Sequence, residues 1–254
     1  MKIAVAGGTG TVGRHVVALA KERGHDVVSL SRTEGVDLVT GRGLDQALAG
    51  SDTVIDVSGI NTTSTKKAVD FLTSASQNLL AAGETAGINH HVVLSIVGID
   101  KATSGLYAGK LAQEDTARHG GVPWTLLRST QFHEFVPLVV KTASAGPLVV
   151  VPKMFTQPVA AREVAQALVD AAGKGPQGRI RDLAGPRLEE LDGLARAYLA
   201  RTGQRRKVVE VPFPGAMGRA MRIGALIPAP GAAVGRQTFL EWLEASSPLG
   251  GSEK

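Results

Sequence analysis

Three glycines near the start of the chain have a spacing that suits them to bind phosphate. Gly7, Gly10 and Gly13 follow a short apolar run at residues 3–6. In a turn between a strand and a helix, the first glycine permits the tight turn, the second lets the backbone approach an anion, and the third lets the helix pack closely. The N–H groups and the positive dipole end of that helix attract a pair of phosphates. The pattern therefore predicts a dinucleotide site rather than an ordinary tight turn.

The residues after the second predicted strand indicate which dinucleotide is bound. Sites for NAD place a carboxylate there, about 20 residues beyond the glycines, to bind the ribose 2′-hydroxyl. This chain has Ser31 and Arg32 instead, with Glu34 just beyond the strand end. A guanidinium is a planar donor that matches a 2′-phosphate, so the sequence favours NADP(H) over NAD(H). The alternative is that Arg32 is an ordinary loop residue exposed to solvent.

Strands and helices alternate along the chain, which predicts a parallel sheet with helices on both faces. The predicted strands cover residues 3–6, 26–30, 36–39, 53–57, 91–95, 123–127 and 180–183, and the predicted helices cover 11–22, 44–49, 67–86, 107–118 and 162–172. The alternation weakens after Arg128, where four prolines follow. We therefore expect an α/β fold with a Rossmann-type doubly wound sheet. Its NAD(P)-binding domain would cover residues 1–130, completed by about 159–184, and residues 131–158 and 185–254 would form a small C-terminal substrate lobe.

The composition of the 254-residue chain argues against several other classes of function. There is no cysteine, which excludes disulfides, a thiolate nucleophile and a thiolate metal site. No apolar stretch approaches the roughly 18 residues of a transmembrane helix. The net charge is +5, but the basic residues are scattered and aromatic residues make up 4%, so no nucleic-acid partner is predicted. The first residues lead directly into a strand, which predicts no signal peptide and a cytoplasmic location.

Several segments together resemble one family. They are the glycine turn, Val57-Ser58-Gly59, Leu94-Ser95-Ile96-Val97-Gly98, the Tyr107-x-x-Lys110 step, and the run from Pro123 to Phe132. Over roughly residues 2 to 200 the chain is similar to the atypical short-chain dehydrogenase/reductases of the NmrA-like, NAD(P)H-binding group. That group includes quinone reductases, isoflavone-reductase-like enzymes and redox sensors without catalytic activity. The resemblance therefore implies a specific fold and cofactor, but it does not single out one reaction.

The resemblance also implies which residues surround the cofactor. The glycine turn and the ends of several strands would contact it, and Lys110 would contact the nicotinamide ribose. The implied cofactor-binding residues are Gly7, Thr9, Gly10, Thr11, Val12, Gly13, Ser31, Arg32, Val57, Ser58, Gly59, Lys110, Thr130 and Gln131.

Tyr107 and Lys110 are the first candidates for catalysis. A reductase of this type needs an acid near the substrate carbonyl and a lysine that lowers the pKa of that acid. The usual Tyr-x-x-x-Lys spacing places both side chains on one helix face at i and i+4. Here Leu106 stands four residues before Lys110, and Tyr107 stands three before it. Tyr107 still shares the face, but a packing role for Tyr107 and a surface role for Lys110 remain alternatives.

Ser95 and His133 are further catalytic candidates. Ser95 ends the fifth predicted strand, where a hydroxyl could approach a substrate carbonyl, although serine is also a common turn former. His133 follows the sixth predicted strand at the edge where open sheets bind ligands, but a structural histidine is the stronger interpretation. His90 and His91 are adjacent and would point to opposite faces of the sheet, so no metal site is predicted.

Three functions fit these residues. The first is an NADPH-dependent oxidoreductase that transfers hydride to a small apolar quinone, carbonyl, enone or azo compound. The second is an NADP(H)-sensing regulator without turnover, which the missing Tyr-x-x-x-Lys favours. The third is an enzyme similar to nucleotide-sugar epimerases, which depend more heavily on the tyrosine. We favour the first, with a small-molecule substrate and with the oligomeric state left open.

Overall fold

The computed structural model describes residues 1–246 and divides into two compact units. The first contains Met1–Ser129 and Ala161–Asp182. The second contains Thr130–Ala160 and Leu183–Lys254, of which residues 247–254 lie outside the described part.

Strands and helices alternate through the first unit and are shorter in the second. The strands are β1 (Lys2–Ala6), β2 (Asp26–Leu30), β3 (Thr53–Asp56), β4 (His90–Ile96), β5 (Trp124–Ser129), β6 (Ser144–Ala145), β7 (Leu148–Pro152), β8 (Phe155–Thr156), β9 (Gly178–Arg179), β10 (Leu183–Ala184), β11 (Glu189–Glu190), β12 (Lys207–Val211) and β13 (Ala233–Val234). The helices are α1 (Gly13–Glu22), α2 (Leu44–Leu48), α3 (Thr65–Thr85), α4 (Leu106–His119), α5 (Phe135–Thr142), α6 (Ala161–Ala172), α7 (Leu191–Arg201), α8 (Gly215–Arg222) and α9 (Phe239–Ala245). None of the helices within residues 1–246 combines the length and the apolar character needed to cross a membrane.

A parallel sheet forms the centre of the first unit. Its strands follow the order β5-β4-β3-β1-β2, with β9 added beside β5. Most of these strands are apolar and buried throughout, as expected where helices cover both faces of a sheet. The doubly wound α/β fold expected from the sequence is therefore confirmed.

Helices pack in pairs on the two faces of this sheet. α1 packs with α6, and α3 packs with α4. The contact between α3 and α4 depends on Gly109, because a Cβ there would lie 2.7 Å from the Ala68 carbonyl oxygen. Lys110 and Gln113 follow Gly109 on α4, so this close packing brings both side chains onto the sheet.

Two predicted strands are wrong. Residues 36–39 form a turn, because the Asp37 carboxylate accepts hydrogen bonds from the N–H groups of Val39 (2.9 Å) and Thr40 (3.2 Å). No strand therefore forms on the outer side of β2, which is the edge strand of the sheet in the first unit. Residues 180–183 do not form one strand either. Pairing with β5 ends at Arg179, whose side chain forms an ion pair with Asp182 at 3.0 Å, and β10 begins only at Leu183.

The second unit contains small sheets and short helices. The strands β12, β7 and β6 form one sheet, β8 pairs with β11, and β10 pairs with β13. α9 begins at a capping box, in which Thr238 accepts from the Glu241 N–H and the Glu241 carboxylate accepts from the Thr238 N–H.

Candidate functional site

The glycine turn has the geometry that a bound pyrophosphate requires. Gly7 has a φ of +78°, and its N–H donates to the Leu30 carbonyl oxygen at 3.4 Å. A Cβ at Gly13 would overlap the Gly7 carbonyl oxygen and lie 2.7 Å from the Gly8 Cα, so only glycine fits where α1 approaches the turn. Gly10 is exposed, and a Cβ there would meet only the Gly7 carbonyl oxygen, at 3.2 Å.

The N-terminus of α1 behind this turn has no capping side chain. Val12 is the N-cap residue, no side chain accepts a hydrogen bond from the first turn, and that turn contains no acidic residue. The N–H groups of Arg14, His15 and Val16 donate to the carbonyl oxygens of Gly10 and Val12, whereas those of residues 11–13 have no acceptor within residues 1–246. These free N–H groups and the helix dipole favour an anion here. Thr9 and Thr11, which flank Gly10, are exposed. The turn therefore fits the phosphates of a dinucleotide.

Ser31 and Arg32 lie directly after β2. The Ser31 hydroxyl shares a hydrogen bond with the Thr33 hydroxyl at 2.8 Å, and Gly35 ends the short 3-10 turn at Arg32–Glu34 with a φ of +80°. Arg32 is exposed, and its guanidinium forms no hydrogen bond or ion pair within residues 1–246. It is therefore available for an external anion, and Glu34 does not neutralise it.

Val57, Ser58 and Gly59 follow β3 and border the glycine turn. A Cβ at Gly7 would lie 3.0 Å from the Ser58 Cα, so the two segments are in direct backbone contact. Gly59 is exposed, with open space where a side chain would be. The structure therefore brings the ends of β1 and β3 together, as the sequence predicts for one cofactor site.

Lys110 is buried rather than exposed, and its ammonium group has three protein acceptors. Nζ donates to the carbonyl oxygens of Ser58 (2.8 Å) and Leu94 (2.9 Å) and to Oε1 of Gln113 (2.8 Å). Because an ammonium carries three hydrogens, a ribose hydroxyl would have to replace one of these acceptors. Lys110 thus connects α4 to the ends of β3 and β4.

Burial and nearby charges compete in setting the charge of Lys110. Desolvation lowers its pKa from 10.5 to about 8, although the carboxylates of Asp56 and Glu114 oppose this decrease. The hydrogen bonds to Ser58, Leu94 and Gln113 require the protonated form, so the lysine is held as a cation at neutral pH.

Asp56 ends β3 and is fully buried beside this lysine. Its Oδ1 accepts from the Ser58 N–H at 2.9 Å, and its Oδ2 accepts from Nε2 of Gln113 at 2.8 Å. Burial alone would raise the pKa of Asp56, but contacts with His91, Lys110 and Ser58 outweigh it and lower the pKa to about 2. Asp56 is therefore ionised at neutral pH.

Ser95 and Tyr107 lie on the same unit as Lys110. Ser95 is 1% exposed, and its hydroxyl has no hydrogen-bond partner in the described residues. Tyr107 is half-buried in the first turn of α4, three residues before Lys110. The first unit thus contains three of the four predicted catalytic residues.

Thr130, Gln131 and His133 belong to the second unit, where other residues hold them. The Thr130 hydroxyl donates to the Gln157 carbonyl oxygen at 2.6 Å, and Gln131 accepts from the Thr156 hydroxyl at 2.9 Å. His133 is fully buried and lies 3.0 Å from the Gln237 carbonyl oxygen. Its ring packs against Phe239 and Trp242, as expected of a structural histidine.

A second set of buried polar residues on α4 and its neighbours is not among the residues predicted from the sequence. Both oxygens of the buried Glu114 carboxylate accept from Arg128 at 2.7 Å, and Arg128 also binds Asp100 at 2.5 Å. Of these residues, Glu114 also acts on the charge of Lys110, as Asp56 does, and Gln113 contacts the lysine directly. The signal was the position of Gln113 and Glu114 at i+3 and i+4 from Lys110, which places all three on one helix face. Within residues 1–246 no group of acidic residues, histidines or cysteines could hold a metal ion.

Comparisons with known proteins agree with this geometry. The NAD(P)H-binding family matches residues 7–174. A (4-alkanoyl-5-oxo-2,5-dihydrofuran-3-yl)methyl phosphate reductase from Streptomyces griseus subsp. griseus is 30% identical over 204 residues, which span 72% of this chain and 68% of that protein. The photosystem II assembly factor Ycf39 from Synechocystis sp. is 36% identical over 117 residues, which span 38% of this chain and 34% of that protein.

The fold also matches solved structures. The NADPH-dependent quinone oxidoreductase QOR2 from Escherichia coli, complexed with NADPH, superposes with a TM-score of 0.72 at 17% identity and covers 95% of this chain and 98% of its own. Such a likeness supports the fold, and the family match supports the cofactor class. The expectations of a Rossmann-type fold and a nicotinamide dinucleotide are confirmed. This chain, which is oxidoreductase-like, belongs to the NAD(P)H-binding family.

Proposed function

We propose that this protein is an NADPH-dependent oxidoreductase that reduces a small, apolar acceptor. The observation that carries the proposal is the uncapped N-terminus of α1 behind the glycine turn, with the unpaired guanidinium of Arg32 at the end of β2. The first feature suits a pyrophosphate, and the second suits a 2′-phosphate.

The cofactor-binding residues lie at the ends of the parallel strands. The N–H groups of Thr11, Val12 and Gly13, which have no acceptor within the described residues, would bind the pyrophosphate. Ser31 and Arg32 would bind the 2′-phosphate, and the segment Val57–Gly59 would border the cofactor beside Gly7. Ligands of open α/β sheets bind at this edge.

Bound NADPH supplies a hydride, which with one added proton reduces an acceptor by two electrons. Lys110 supports this reaction by holding the Ser58 and Leu94 carbonyl groups at the ends of β3 and β4. Tyr107 lies near the start of α4, and Ser95 adds a buried hydroxyl at the end of β4. Quinones and azo compounds take up hydride without a strong protein acid, which suits a chain lacking the Tyr-x-x-x-Lys spacing.

The proposal also includes the class of acceptor and the part of the chain that binds it. Quinones, carbonyls, enones and azo compounds are the acceptors we propose, and the second unit is the part we assign to substrate binding. Support for a reductase comes from the 30% identical relative, which is named as a reductase, and from the fold shared with a quinone oxidoreductase.

The experiment that tests this function is a screen of these acceptors, with NADPH absorbance as the readout. We expect oxidation of NADPH with at least one acceptor, a marked loss in Lys110→Ala, and a smaller loss in Tyr107→Phe. Tight NADPH binding without turnover across all four acceptor classes would instead favour a sensor of the NADP(H) state. A large loss in Tyr107→Phe would identify the tyrosine as the proton donor.

A further inference from the structure

Asp56, Gln113 and Lys110 form a hydrogen-bonded chain with a fixed direction. Gln113 lies on α4, between the carboxylate at the end of β3 and the ammonium group on its own helix. Its Nε2 donates to Asp56 Oδ2 at 2.8 Å, and its Oε1 accepts from Lys110 Nζ at 2.8 Å. Gln113 is 1% exposed, so water does not compete for either bond.

The chemistry of the two neighbours allows only one orientation of the Gln113 amide. An ionised carboxylate only accepts hydrogen bonds, and an ammonium group only donates them. If the amide were reversed, its oxygen would face the Asp56 carboxylate and its NH₂ group would face Lys110. Both contacts would then be unsatisfied in a buried site, at a high cost in free energy. The charge of Asp56 therefore fixes the direction of the amide.

We propose that Gln113 is a positioning residue that holds the Lys110 ammonium against the carbonyl oxygens of Ser58 and Leu94, and so fixes the ends of β3 and β4 for the nicotinamide cofactor. The inference rests on the proposed function, because it assigns the purpose of this arrangement to cofactor binding. Ser58 is held at two points, since its N–H binds Asp56 and its carbonyl oxygen binds Lys110. Movement of Gln113 would therefore disturb the segment that contacts Gly7.

Other charged groups face this arrangement from each neighbouring element. Asp56 lies on β3, and His91 on β4 has its Nε2 3.8 Å from Asp56 Oδ2. Glu114 lies on α4, and Arg128 on β5 binds it. Because Arg128 satisfies both Glu114 oxygens, the side-chain acceptor that directly contacts Lys110 is Gln113. Replacing Gln113 must therefore change the pKa of Lys110.

The test combines two opposite substitutions with a matched control. Gln113→Met keeps the length of the side chain and removes the hydrogen bonds to Lys110 and Asp56, together with a longer one to the Ser58 hydroxyl. The charge-swapped double variant Asp56→Asn/Gln113→Glu places a carboxylate beside Lys110 and an amide donor at position 56, so no two carboxylates face each other. Gln77→Met, at an exposed position on α3, is the control. The lysine titration is followed by NMR of protein carrying labelled lysine, and the Lys110 signal is assigned by its loss in Lys110→Met. NADPH affinity is measured by calorimetry on the same variants.

We expect the pKa of Lys110 to fall in Gln113→Met, because the charged form loses an acceptor, and to rise in the charge-swapped variant, because the carboxylate then contacts the ammonium group directly, each by about one pH unit. NADPH binding should weaken about tenfold in Gln113→Met and stay within about twofold in Gln77→Met. If the Gln113 side chain only filled space, the two variants would not shift the pKa of Lys110 in opposite directions.

Two results would overturn the inference: a Lys110 titration that is unchanged or moves the same way in both variants, or an unchanged NADPH affinity in a folded Gln113→Met protein. If Gln113→Met does not fold, the direction of the change in the charge-swapped variant decides. Failure of the wild type to bind NADPH would contradict the proposed function itself, and the lysine titration would still test the hydrogen-bonded chain.

Discussion

The Gly13 Cα lies so close to the Gly7 carbonyl oxygen that no side chain fits between them. Gly7 begins the turn after β1, and Gly13 begins α1, so this contact fixes how closely the N-terminus of α1 approaches the end of the strand. Gly10 lies between them on the exposed side of the turn, where a Cβ would approach only the Gly7 carbonyl oxygen, at 3.2 Å. The two glycines at 10 and 13 therefore have different roles, one for the ligand and one for packing.

Substitution at Gly10 separates cofactor binding from folding. Gly10→Val should abolish NADPH binding, because the added side chain occupies the approach of the pyrophosphate, while the thermal unfolding midpoint stays within a few degrees of the wild type. NADPH fluorescence and circular dichroism measure the two effects. Gly13→Ala is the contrasting variant and should lose stability as well, since its Cβ overlaps backbone. Retained NADPH binding in a folded Gly10→Val protein would place the cofactor elsewhere.

Arg32 should determine the choice between the two nicotinamide dinucleotides. Arg32→Ala should remove most of the preference for NADPH over NADH, at a cost of about 1.5–3 kcal/mol for a charge-assisted contact. NADH affinity should change little, because that dinucleotide has no 2′-phosphate. Calorimetric titration of both dinucleotides checks this, with the exposed Arg205→Ala as the control. Equal affinities in the wild type would contradict this role of Arg32.

Glu114 and Asp100 bind the same arginine but should contribute differently to stability. Glu114→Gln should destabilise the fold by about 3–5 kcal/mol, because it leaves the buried Arg128 guanidinium without its buried carboxylate. Asp100 is 57% exposed in its side chain, so Asp100→Asn should cost less than about 1 kcal/mol. Urea unfolding measures both values. Similar losses in the two variants would show that the burial of Glu114 does not matter.

The sequence predicted the parts of the site that depend on local pattern. The glycine turn and most strands of the sheet follow from spacing and periodicity over short stretches, whereas Lys110 was singled out by the family resemblance. Residues 36–39 misled the same reasoning, because the apolar residues on either side of Asp37 suggest a strand, whereas the Asp37 carboxylate stabilises a turn.

Asp56 and Gln113 could not be paired from the sequence, because they lie 57 residues apart. Their contact depends on how closely α4 packs on α3, and this depends on Gly109, which looks like an ordinary helix residue in sequence. The burial of Lys110 could not be predicted either. The sequence left a surface position as an alternative, and the packed structure shows that the ammonium group has three buried acceptors.

Asp56 should make the stability of the fold dependent on pH in the acid range. Its pKa is about 2 in the folded protein and 3.8 when unperturbed, so the unfolded chain binds a proton more readily. The contribution, about 2 kcal/mol, is therefore present above about pH 4 and is lost as the pH falls through about 2. Asp56→Asn should remove this part of the pH dependence, and the exposed Asp45→Asn should keep it. If the free energy of unfolding changed by the same amount in the wild type and in Asp56→Asn between about pH 5 and 3, the assignment would be contradicted.

The central claim is that NADPH bound at the glycine turn reduces an acceptor. The most direct measurement is rapid mixing of NADPH-loaded protein with a quinone in a single turnover, followed by absorbance, using NADPH with hydrogen or deuterium at the transferred position. We predict oxidation of bound NADPH that deuterium slows and that Gly10→Val abolishes. Bound NADPH that stays reduced in the presence of quinone, carbonyl, enone and azo acceptors would contradict the claim.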